Sequence, residues 1–525
     1  MTARETEALT HRRVLIVFSG LMLATLLGAL DSTIVATALP TIVSELGGLE
    51  RLPWVVTAYL LAQTVATPLY GKLGDLYGRK VVLQSAVVIF LLGSALCGLS
   101  GSMLQLILFR FLQGIGGGGL VVTTMAVVGE IVPPRDRGRY QGIFGAVFGL
   151  ASVAGPLLGG YFTTHWTWRW IFYINLPLGA LALFVIAATL PAHSERRSHR
   201  IDWAGATLLA LGLTGIILIT DLGGTHLAWA SPQIITLAVL AALSLLFFLF
   251  VERRAAEPVM PLHLFRNRSV SVTVVLALIT GFALFGSVTY LPLFLQVVKG
   301  SSPTESGLQM LPQMAGVLVT SILSGQLISR TGRYRIFPIM GMATLAVALF
   351  LLSRTTQSTS MNTLMVLMAM LGCGVGMIMQ VLVIAVQNAV DIRDLGVATS
   401  GNTLSRLVGG SVGTAALGAV FTGRLTSVLA QRFPAGKQIP TLNIHAIEEL
   451  PAQLRTMYVQ AFAEAFDTVF LVACCIAVIG FALSWLLPEH PLRGAVAETS
   501  ADLGQEMGGA MAMPETPEAV VKRPA

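Results

Sequence analysis

The chain has 525 residues, of which 54% are hydrophobic and 11% are charged, and its formal net charge is +7. Soluble globular proteins carry roughly a quarter charged residues, so this composition excludes an ordinary soluble domain and predicts an integral membrane protein with many spans. On a soluble domain the positive charge would suit a nucleic acid. Here the basic residues cluster in short loops between apolar runs, as the positive-inside bias predicts, and we expect no nucleic-acid partner.

The apolar runs define the predicted spans. About fourteen of them approach the 20 or so residues that cross a bilayer. They begin near Val14, Trp54, Val81, Leu104, Gln141, Trp170, Trp203, Gln233, Ser269, Glu305, Ile336, Asn362, Val397 and Phe462. The first run is too long for a cleaved signal peptide. An even number of spans and the distribution of Lys and Arg predict a multi-pass protein of the cell (plasma or inner) membrane with both termini in the cytoplasm.

The first run contains an acid, Asp31, and the fourth run contains a base, Arg110. Charges inside a membrane are costly and are therefore functional candidates. Counting 1.5 Å per residue from Pro40 and from Leu104 places Asp31 roughly 13 Å and Arg110 roughly 9 Å below the outer surface. A carboxylate that exchanges a proton beside an arginine would form a switch that responds to geometry. The alternative is a static ion pair that only fixes helix packing, and the residues alone do not decide between the two.

A charged segment, Gly71–Lys80, separates the second run from the third. Its three glycines allow tight turns, and Asp75 and Arg79 can pair across one helical turn, so we interpret it as a short charged loop. A weaker copy follows at Gly325–Arg333, with Ser329 in the place of Asp75. A loop that recurs in a membrane protein suggests a pivot between two repeats.

The fifth run is rich in glycine. Gly145, Gly149, Gly155 and Gly159 permit close backbone approach, and Pro156 removes a backbone hydrogen bond and bends a helix. We expect a closely packed helix at the interface between the repeats, which could act as a bearing that does not leak.

The 254 residues between Gly71 and Gly325 give a register that also aligns Gly155 with Gly409. One register that fits two separate motifs implies two six-helix halves. The predicted division is a cytoplasmic N-terminus (1–13), a first six-helix bundle (14–190), an inserted helix pair (203–251), a cytoplasmic linker (252–268), a second six-helix bundle (269–487) with a long outer loop (424–460), and a disordered cytoplasmic tail (488–525).

Polar side chains in or beside the apolar runs form a second group of candidates. Each such residue more often makes an interhelical hydrogen bond than a ligand contact, but together they could line a cavity. They are Gln63, Thr67, Gln309, Gln313, Gln380, Gln387, Asn402, Arg406 and Asp467. Asp467 and Asp221 are expected near the outer interface.

Other chemistries lack support. The chain has no G-x-x-x-x-G-K-[ST] motif for ATP, and Gly114–Gly119 lies inside an apolar run, which favours close helix packing over a dinucleotide site. The four cysteines lie in apolar runs without metal-ligand spacing. We expect neither an enzyme nor a bound metal or cofactor.

Taken together, these motifs resemble the major facilitator superfamily, specifically its fourteen-helix drug:proton antiporter branch of the EmrB/QacA type. The matching stretches are 30–40, 71–80, 110–114, 149–160 and 168–177, and the resemblance omits only the tail and the long outer loop. It implies an all-α integral membrane fold of two pseudo-symmetric six-helix bundles plus two inserted helices.

The resemblance also implies a function. It describes a multidrug efflux antiporter, associated with antibiotic resistance, that exports small amphipathic compounds and is driven by the proton gradient. Asp31 would take part in proton coupling or cation recognition, and Arg110 in proton transfer. Asp75 and Arg79 would form an inner gate latch with Glu130. Because Ser329 replaces the acid in the second copy, the latch is expected mainly in the first half.

Two alternatives remain open. One is a dedicated exporter of a lipid, a siderophore or a self-made antibiotic, in which the long outer loop could serve an outer adaptor protein. The other is a receptor or scaffold on the same fold that does not transport. A scaffold needs neither Asp31 nor Arg110 nor the glycine-proline signature, so the sequence favours export.

Overall fold

The computed structural model describes residues 11–47, 51–190, 202–224, 227–432 and 452–492. These residues form sixteen α-helices, connected by short loops and two short 3₁₀ turns. The helices are α1 (His11–Leu46), α2 (Leu52–Tyr77), α3 (Arg79–Gly98), α4 (Met103–Ile131), α5 (Arg137–His165), α6 (Trp170–Tyr173), α7 (Asn175–Thr189), α8 (Trp203–Leu222), α9 (Pro232–Glu252), α10 (Arg268–Val297), α11 (Pro303–Gln309), α12 (Leu311–Thr331), α13 (Ile336–Leu352), α14 (Met361–Asn388), α15 (Leu395–Arg432) and α16 (Ala452–Ser484).

The helices account for the predicted spans. In the described part of the chain, 13 helical segments are long and apolar enough to cross a membrane, and the shorter α13 is also apolar. At 1.5 Å per residue, the 17 residues of α13 reach about 26 Å, close to the hydrocarbon thickness of a bilayer. The helices α6 and α7 together form one span, Trp170–Thr189. The prediction of an all-α membrane protein with about fourteen spans is confirmed.

The two halves of the chain build corresponding helices. Shifted by 254 residues, α1 falls on α10, α2 on α11 and α12, and α3, α4 and α5 on α13, α14 and α15. Packing follows the same correspondence, since α5 packs on α1 and α15 packs on α10. A Cβ atom added at Gly155 would meet Thr33 of α1, and one added at Gly409 would meet Leu278 of α10.

The described loops lie at one of two ends of the bundle. We call the end that contains the α2–α3 junction and Arg137 the basic end, and the end that contains the ion pair of Glu45 with Arg169 the far end. At the basic end, Phe18 near the start of α1 packs edge-on against Tyr140. Arg335 donates to the carbonyl of Trp485 just after α16. The start of α1 and the end of α16 therefore both lie at the basic end.

The inserted pair α8–α9 lies over one seam between the halves. The two helices pack on each other, and α8 also packs on α2 of the first half and on α15 of the second. Leu209 and Leu213 of α8 share an apolar cluster with Leu404 of α15. In contrast, α9 exposes Leu246 and Phe250 on its outer surface, as a helix in contact with lipid does.

The structure corrects the prediction of a charged loop at Gly71–Lys80. The helix α2 continues to Tyr77, and α3 begins at Arg79. Only Gly78 separates them, with a φ of 88°, a left-handed conformation that favours glycine. Two of the charges in this segment, those of Asp75 and Arg79, have partners that are described below.

Other predicted boundaries also move. The long outer loop is predicted at 424–460, but α15 extends to Arg432 and α16 begins at Ala452. Phe421 of α15 packs edge-on against Phe462 of α16, which connects the two helices in this region. The remaining loop residues, 433–451, lie outside the described residues, as do 1–10 of the N-terminus and 493–525 of the tail. The linker 252–268 contains one 3₁₀ turn, Leu262–Arg266.

Candidate functional site

Asp31 and Arg110 meet inside the first half. Nη1 of Arg110 lies 2.6 Å from Oδ2 of Asp31. The other carboxylate oxygen accepts hydrogen bonds from Nε2 of Gln113 at 2.8 Å and from Nδ2 of Asn175 at 3.3 Å. Asp31 is 0% exposed and Arg110 is 1% exposed. The depth estimate from sequence therefore placed the two charges in one layer correctly, and four polar side chains form one buried network.

Arg110 has partners besides Asp31. Its Nε donates to the carbonyl of Val55 at 3.2 Å, and its Nη1 also donates to Oε1 of Gln113 at 2.9 Å. The guanidinium lies 4.2 Å from the centroid of the Tyr59 ring, a cation–π distance. Arg110 would therefore keep hydrogen bonds and an aromatic contact if Asp31 became neutral.

Glycines of α4 bring the neighbouring helices this close. A Cβ at Gly114 would lie 2.9 Å from the Cβ of Ala62 in α2, and one at Gly116 would lie 2.7 Å from the carbonyl oxygen of Ala86 in α3. The interpretation of Gly114–Gly119 as a packing motif agrees with these contacts. The described hydrogen-bond partners of the Asp31 carboxylate all belong to the first half, and in this conformation Asp31 is buried inside that half.

The predicted latch residues meet at the basic end. Nη2 of Arg79 lies 3.0 Å from Oδ1 of Asp75, and its Nη1 lies 3.2 Å from Oε2 of Glu130. The carboxylate of Asp75 also accepts the backbone N–H groups of Gly396 at 3.0 Å and Val397 at 2.9 Å. These two N–H groups belong to the first turn of α15, where the helix dipole favours an anion. The contacts of Asp75 therefore join the two halves.

The second copy of the motif makes a corresponding contact. Oγ of Ser329 in α12 accepts the backbone N–H of Arg139 at 3.0 Å. Arg139 is the third residue of α5, just as Val397 is the third residue of α15. The expectation of a latch confined mainly to the first half is therefore wrong in one respect. The contacts cross between the halves at both seams, and only their strength differs, because a hydroxyl carries no charge.

More contacts close the basic end. Nη1 of Arg137 donates to the carbonyl of Gln387 at 3.4 Å, and Nε2 of Gln387 donates to the carbonyl of Met125 at 3.0 Å. A Cβ at Gly138 would lie 3.0 Å from Oγ of Ser329. The first and second halves are thus in contact along this whole end.

The glycines of α5 serve two interfaces. Gly149 faces Leu318 of α12, in the second half, whereas Gly155 and Gly159 face Ile34 of α1, in the same half. The helix packs closely at all three glycines, and its contact with the second half is made at Gly149, whereas Gly155 and Gly159 pack within the first half. The helix α5 is continuous through Pro156. Its neighbour changes along its length, because α12 approaches it near Gly149 and α1 approaches it near Gly155.

A cavity of about 840 Å³ lies toward the far end, between α2, α8, α10, α15 and α16. It is lined by Thr57, Leu60, Thr64, Ile217, Thr220, Asp221, Gly223, Gly224, Trp229, Phe285, Thr289, Tyr290, Leu293, Val297, Leu407, Gly410, Ser411, Thr414, Ala415, Gly418, Ala419, Phe421, Thr422, Gly423 and Phe462. Asp221 is the one charged side chain among these described lining residues, and Oγ1 of Thr57 donates to its Oδ1 at 2.9 Å.

The predicted cavity candidates lie elsewhere. Gln309 accepts the hydroxyl of Ser301 at 3.0 Å, Nε2 of Gln313 donates to Ser287 at 3.0 Å, and Asn402 donates to a backbone carbonyl of α10. None of the residues that the sequence proposed as a cavity lining belongs to the wall of this cavity. Where their partners are known, these amides are used for interhelical or local hydrogen bonds, the more frequent role of such residues.

Four candidates remain without an assigned role. Arg406 is buried, with 6% of its surface exposed. Gln380 is buried and both its side-chain polar atoms lack a hydrogen-bond partner among the described residues. Gln63 and Asp467 are half-buried. In the described part of the chain, no cluster of three or more His, Cys, Asp or Glu side chains could hold a metal.

Asp221 was expected near the outer interface, and it is the penultimate residue of α8, at the far end of the molecule. There it is half-buried and lies in the cavity wall, a position that the sequence did not predict.

Comparisons with known proteins agree with this architecture. The family model of the Major Facilitator Superfamily matches residues 21–414. The chain is 44% identical over 509 residues to an uncharacterized MFS-type transporter of Mycobacterium tuberculosis (97% of this chain, 74% of that protein). It is 39% identical over 456 residues to the multidrug transporter protein MdtP of Bacillus subtilis (86% and 82%). Among solved structures, the proton:xylose symporter XylE superposes with a TM-score of 0.62 at 13% identity, covering 91% of this chain and 96% of XylE.

Proposed function

This chain belongs to the major facilitator superfamily, a family of membrane transporters, and from that premise we propose that it exports small amphipathic compounds across the cell membrane in exchange for protons. In this proposal the basic end faces the cytoplasm and the far end faces the outside, as the distribution of Lys and Arg favours. Both termini are then cytoplasmic.

Export is supported by relatives and by the cavity. The relative that is 39% identical is named a multidrug transporter. Pockets for drug-sized ligands occupy roughly 300–1,000 Å³ and are mostly apolar, and the far-end cavity, at about 840 Å³, has such a size and lining. Its mainly apolar wall suits compounds that partition into membranes.

The proposed cycle is alternating access. Here the halves touch along the basic end, while the cavity lies toward the far end. We assign this arrangement to the state that releases substrate outside. Rocking of the two repeats about the cavity would break the contacts of Asp75 and Ser329 and give access from the cytoplasm.

Proton coupling is proposed for Asp31, and the buried network of Asp31 with Arg110 is the observation that carries it. An ion pair without contact to water is costly to keep in a membrane, so a purely structural role would be served better by apolar side chains. A proton that reaches Asp31 would end its charge attraction to Arg110, which has other partners in Val55, Gln113 and Tyr59. The switch can therefore work without leaving an unpaired guanidinium.

The test uses purified protein in liposomes with an imposed pH gradient. We expect Asp31→Asn to abolish substrate movement driven by the gradient while leaving membrane insertion intact. The matched control is Ser32→Ala, which changes the adjacent, exposed residue, whose hydroxyl donates to the carbonyl of Ala29 in its own helix. Exchange at the normal rate in the Asp31 variant would remove this residue from the mechanism.

Substrate breadth separates multidrug export from the dedicated exporter that the sequence left open. A panel of unrelated toxic compounds is tested against an efflux-deficient host that expresses the chain. Multidrug export predicts resistance to several compounds that share only amphipathic character. Protection against a single compound would favour the dedicated exporter.

A further inference from the structure

We propose that Asp202, at the start of α8, and Glu252, at the end of α9, form a proton-binding site in which the two carboxylates hold one proton between them. The site lies in the inserted helix pair at the basic end and is separate from Asp31. It goes beyond the proposed export function, because a bound proton can be measured without transport.

The first argument is a buried carboxylate oxygen without a partner. Glu252 is 3% exposed. Its Oε1 accepts the backbone N–H of Met260, whereas its Oε2 is buried and has no hydrogen-bond partner in the described part of the chain. An ionised carboxylate in such a position is costly. A carboxyl group that carries a proton on this oxygen is neutral and becomes a hydrogen-bond donor.

The second argument is that another carboxylate faces this oxygen. Oδ1 of Asp202 caps α8 by accepting the N–H of Gly205 at 2.8 Å, while its Oδ2 is also buried without a partner among the described residues. A Cβ added at Gly205 would meet Oδ2 of Asp202 and would lie 3.1 Å from Oε2 of Glu252. The two unpartnered oxygens therefore converge above this glycine. Two ionised carboxylates repel each other there, whereas a proton on one of them lets it donate to the other.

The third argument is the balance of charge around the pair. The dipole at the start of α8 corresponds to about half a positive charge. Lys72 of α2 attracts Glu252 electrostatically but does not reach the unpartnered oxygens. In the linker, Arg253 and Arg254 are exposed, and the half-buried Glu257 is a further acid. The positive charge that faces the two carboxylates therefore falls short of theirs, and one proton corrects the difference.

A proton fits this site better than a metal ion does. Ca²⁺ takes roughly six to eight oxygen ligands, and Mg²⁺ requires an octahedral arrangement. Only two carboxylates converge here, and in the described part of the chain no three His, Cys, Asp or Glu side chains could hold a metal. One proton satisfies both unpartnered oxygens with a single hydrogen bond.

The site lies where the inserted pair meets both halves. Lys72 precedes Asp75 by three residues on α2. Met260 of the linker lies against α15, since a Cβ added at Gly401 would lie 3.7 Å from its Cε. The α15 residues that pack here, Gly401 and Leu404, carry no charge. A bound proton reduces the negative charge that attracts Lys72, so it acts on the contact between the inserted pair and α2, beside the seam that Asp75 closes.

The test measures how the thermal stability of the purified full-length protein in detergent depends on pH. An isolated carboxyl group loses its proton near pH ~4, whereas the shared proton should stay bound at neutral pH and leave in alkaline solution. The melting temperature of the wild type should therefore fall from neutral to alkaline pH. In Glu252→Gln the amide accepts from Met260 and donates to Asp202 at every pH. This variant should lose most of that fall and should be more stable than the wild type in alkaline solution.

A second variant and a matched control accompany this measurement. Asp202→Asn can still cap α8 and can donate to Glu252, so it should also flatten the pH profile. Asp136→Asn changes an exposed aspartate at the start of α5, also at the basic end, and should keep the wild-type profile. A wild-type profile in Glu252→Gln or Asp202→Asn would overturn the proposal. So would stabilisation of the wild type by Ca²⁺ that both of these variants lose.

Infrared difference spectra detect the proton directly. A change from neutral to alkaline pH should remove absorption of protonated carboxyl groups from the wild type, and this signal should be lost in Glu252→Gln and Asp202→Asn. The signal should persist in Asp31→Asn, which separates the site from the residue proposed for coupling. A wild type without the signal would overturn the inference. The signal together with a wild type that moves no substrate in a pH gradient would overturn the export proposal and leave this site standing.

Discussion

At the scale of single residues, the buried carboxylates of this transporter are fixed by more partners than a simple ion pair requires. Asp31 contacts Arg110, Gln113 and Asn175, and Asp75 contacts Arg79 and two backbone N–H groups. Removing only one partner of a buried ion pair strongly destabilises the folded protein, because the remaining charge stays buried and uncompensated.

This argument predicts the behaviour of Arg110 variants. Arg110→Gln leaves the charge of Asp31 buried without a cation and should destabilise the folded protein by about 3–5 kcal/mol. The double variant Asp31→Asn with Arg110→Gln removes both charges and should recover most of that loss. Thermal unfolding in detergent, followed by fluorescence, measures both. If the double variant were no more stable than Arg110→Gln alone, the two charges would not act as a pair.

The two latch residues predict different losses at the basic end. Asp75→Asn removes the negative charge that accepts the N–H groups in the first turn of α15. The contact between α2 and α15, which holds the basic end closed, should weaken by about 1–3 kcal/mol. Ser329→Ala removes a neutral acceptor from α5 and should weaken the contact between α5 and α12 by about 0.5–1.5 kcal/mol. Distances between spin labels on the two halves report the population of the closed state. A larger effect at Ser329 than at Asp75 would contradict this order.

Some of these residues could be predicted and some could not. The similar depth of Asp31 and Arg110 was predictable from helix rise alone, whereas the facing arrangement of α1 and α4 that lets the two charges pair was not. Asn175 was not predicted, because its contact depends on how α7 is rotated, and rotation does not appear in a count of residues. The contact of Asp221 with Thr57 was not predicted, because the position of α8 against α2 depends on packing between elements that share no motif.

At the scale of elements, α5 shows how glycine spacing acts. The spacing predicted close packing, and the structure assigns the partners, α12 for Gly149 and α1 for Gly155. The sequence does not identify these partner helices, because the spacing of glycines shows that a helix packs closely but not which helix packs against it. In contrast, the register between the halves was visible in the sequence, because it is carried by glycines at fixed separations.

Alanine substitutions along α5 test the packing. Gly155→Ala would place a methyl group 2.8 Å from the Cβ of Thr33 and should destabilise the protein by about 1–3 kcal/mol through overpacking. Its repeat counterpart, Gly409→Ala, meets the backbone of α10 and should cost at least as much. The control is Gly160→Ala on the same helix, which has no atom within 4 Å. A shift in melting temperature for Gly160→Ala as large as for Gly155→Ala would contradict the assignment.

At the scale of the whole molecule, the number of spans, the repeat and the family were predictable because apolar length and charged motifs recur along the chain. The conformation was not, since a sequence is compatible with every state of a transport cycle. The closed basic end follows from contacts such as Arg137 with Gln387, which join residues far apart in the chain and carry no pattern that a sequence reveals.

The closed basic end predicts a reversible block. In a variant without the native cysteines, Arg139→Cys combined with Ser329→Cys brings two thiols to the contact between α5 and α12, where Arg139 N and Ser329 Oγ are 3.0 Å apart. Joining them with a short thiol-reactive linker should hold the halves together and stop transport in liposomes, while each single variant treated alike should remain active. Full transport by the linked protein would show that the basic end need not open.

The two seams at the basic end differ in kind, and the difference has a directional consequence. The seam between α2 and α15 has the carboxylate of Asp75 and is covered by the inserted pair, whereas the seam between α5 and α12 has glycine backbones and one hydroxyl. The weaker seam should part first. In the orientation that we propose, the basic end would then open toward the cytoplasm on the side opposite α8, and a substrate from the inner leaflet would enter the protein on that side.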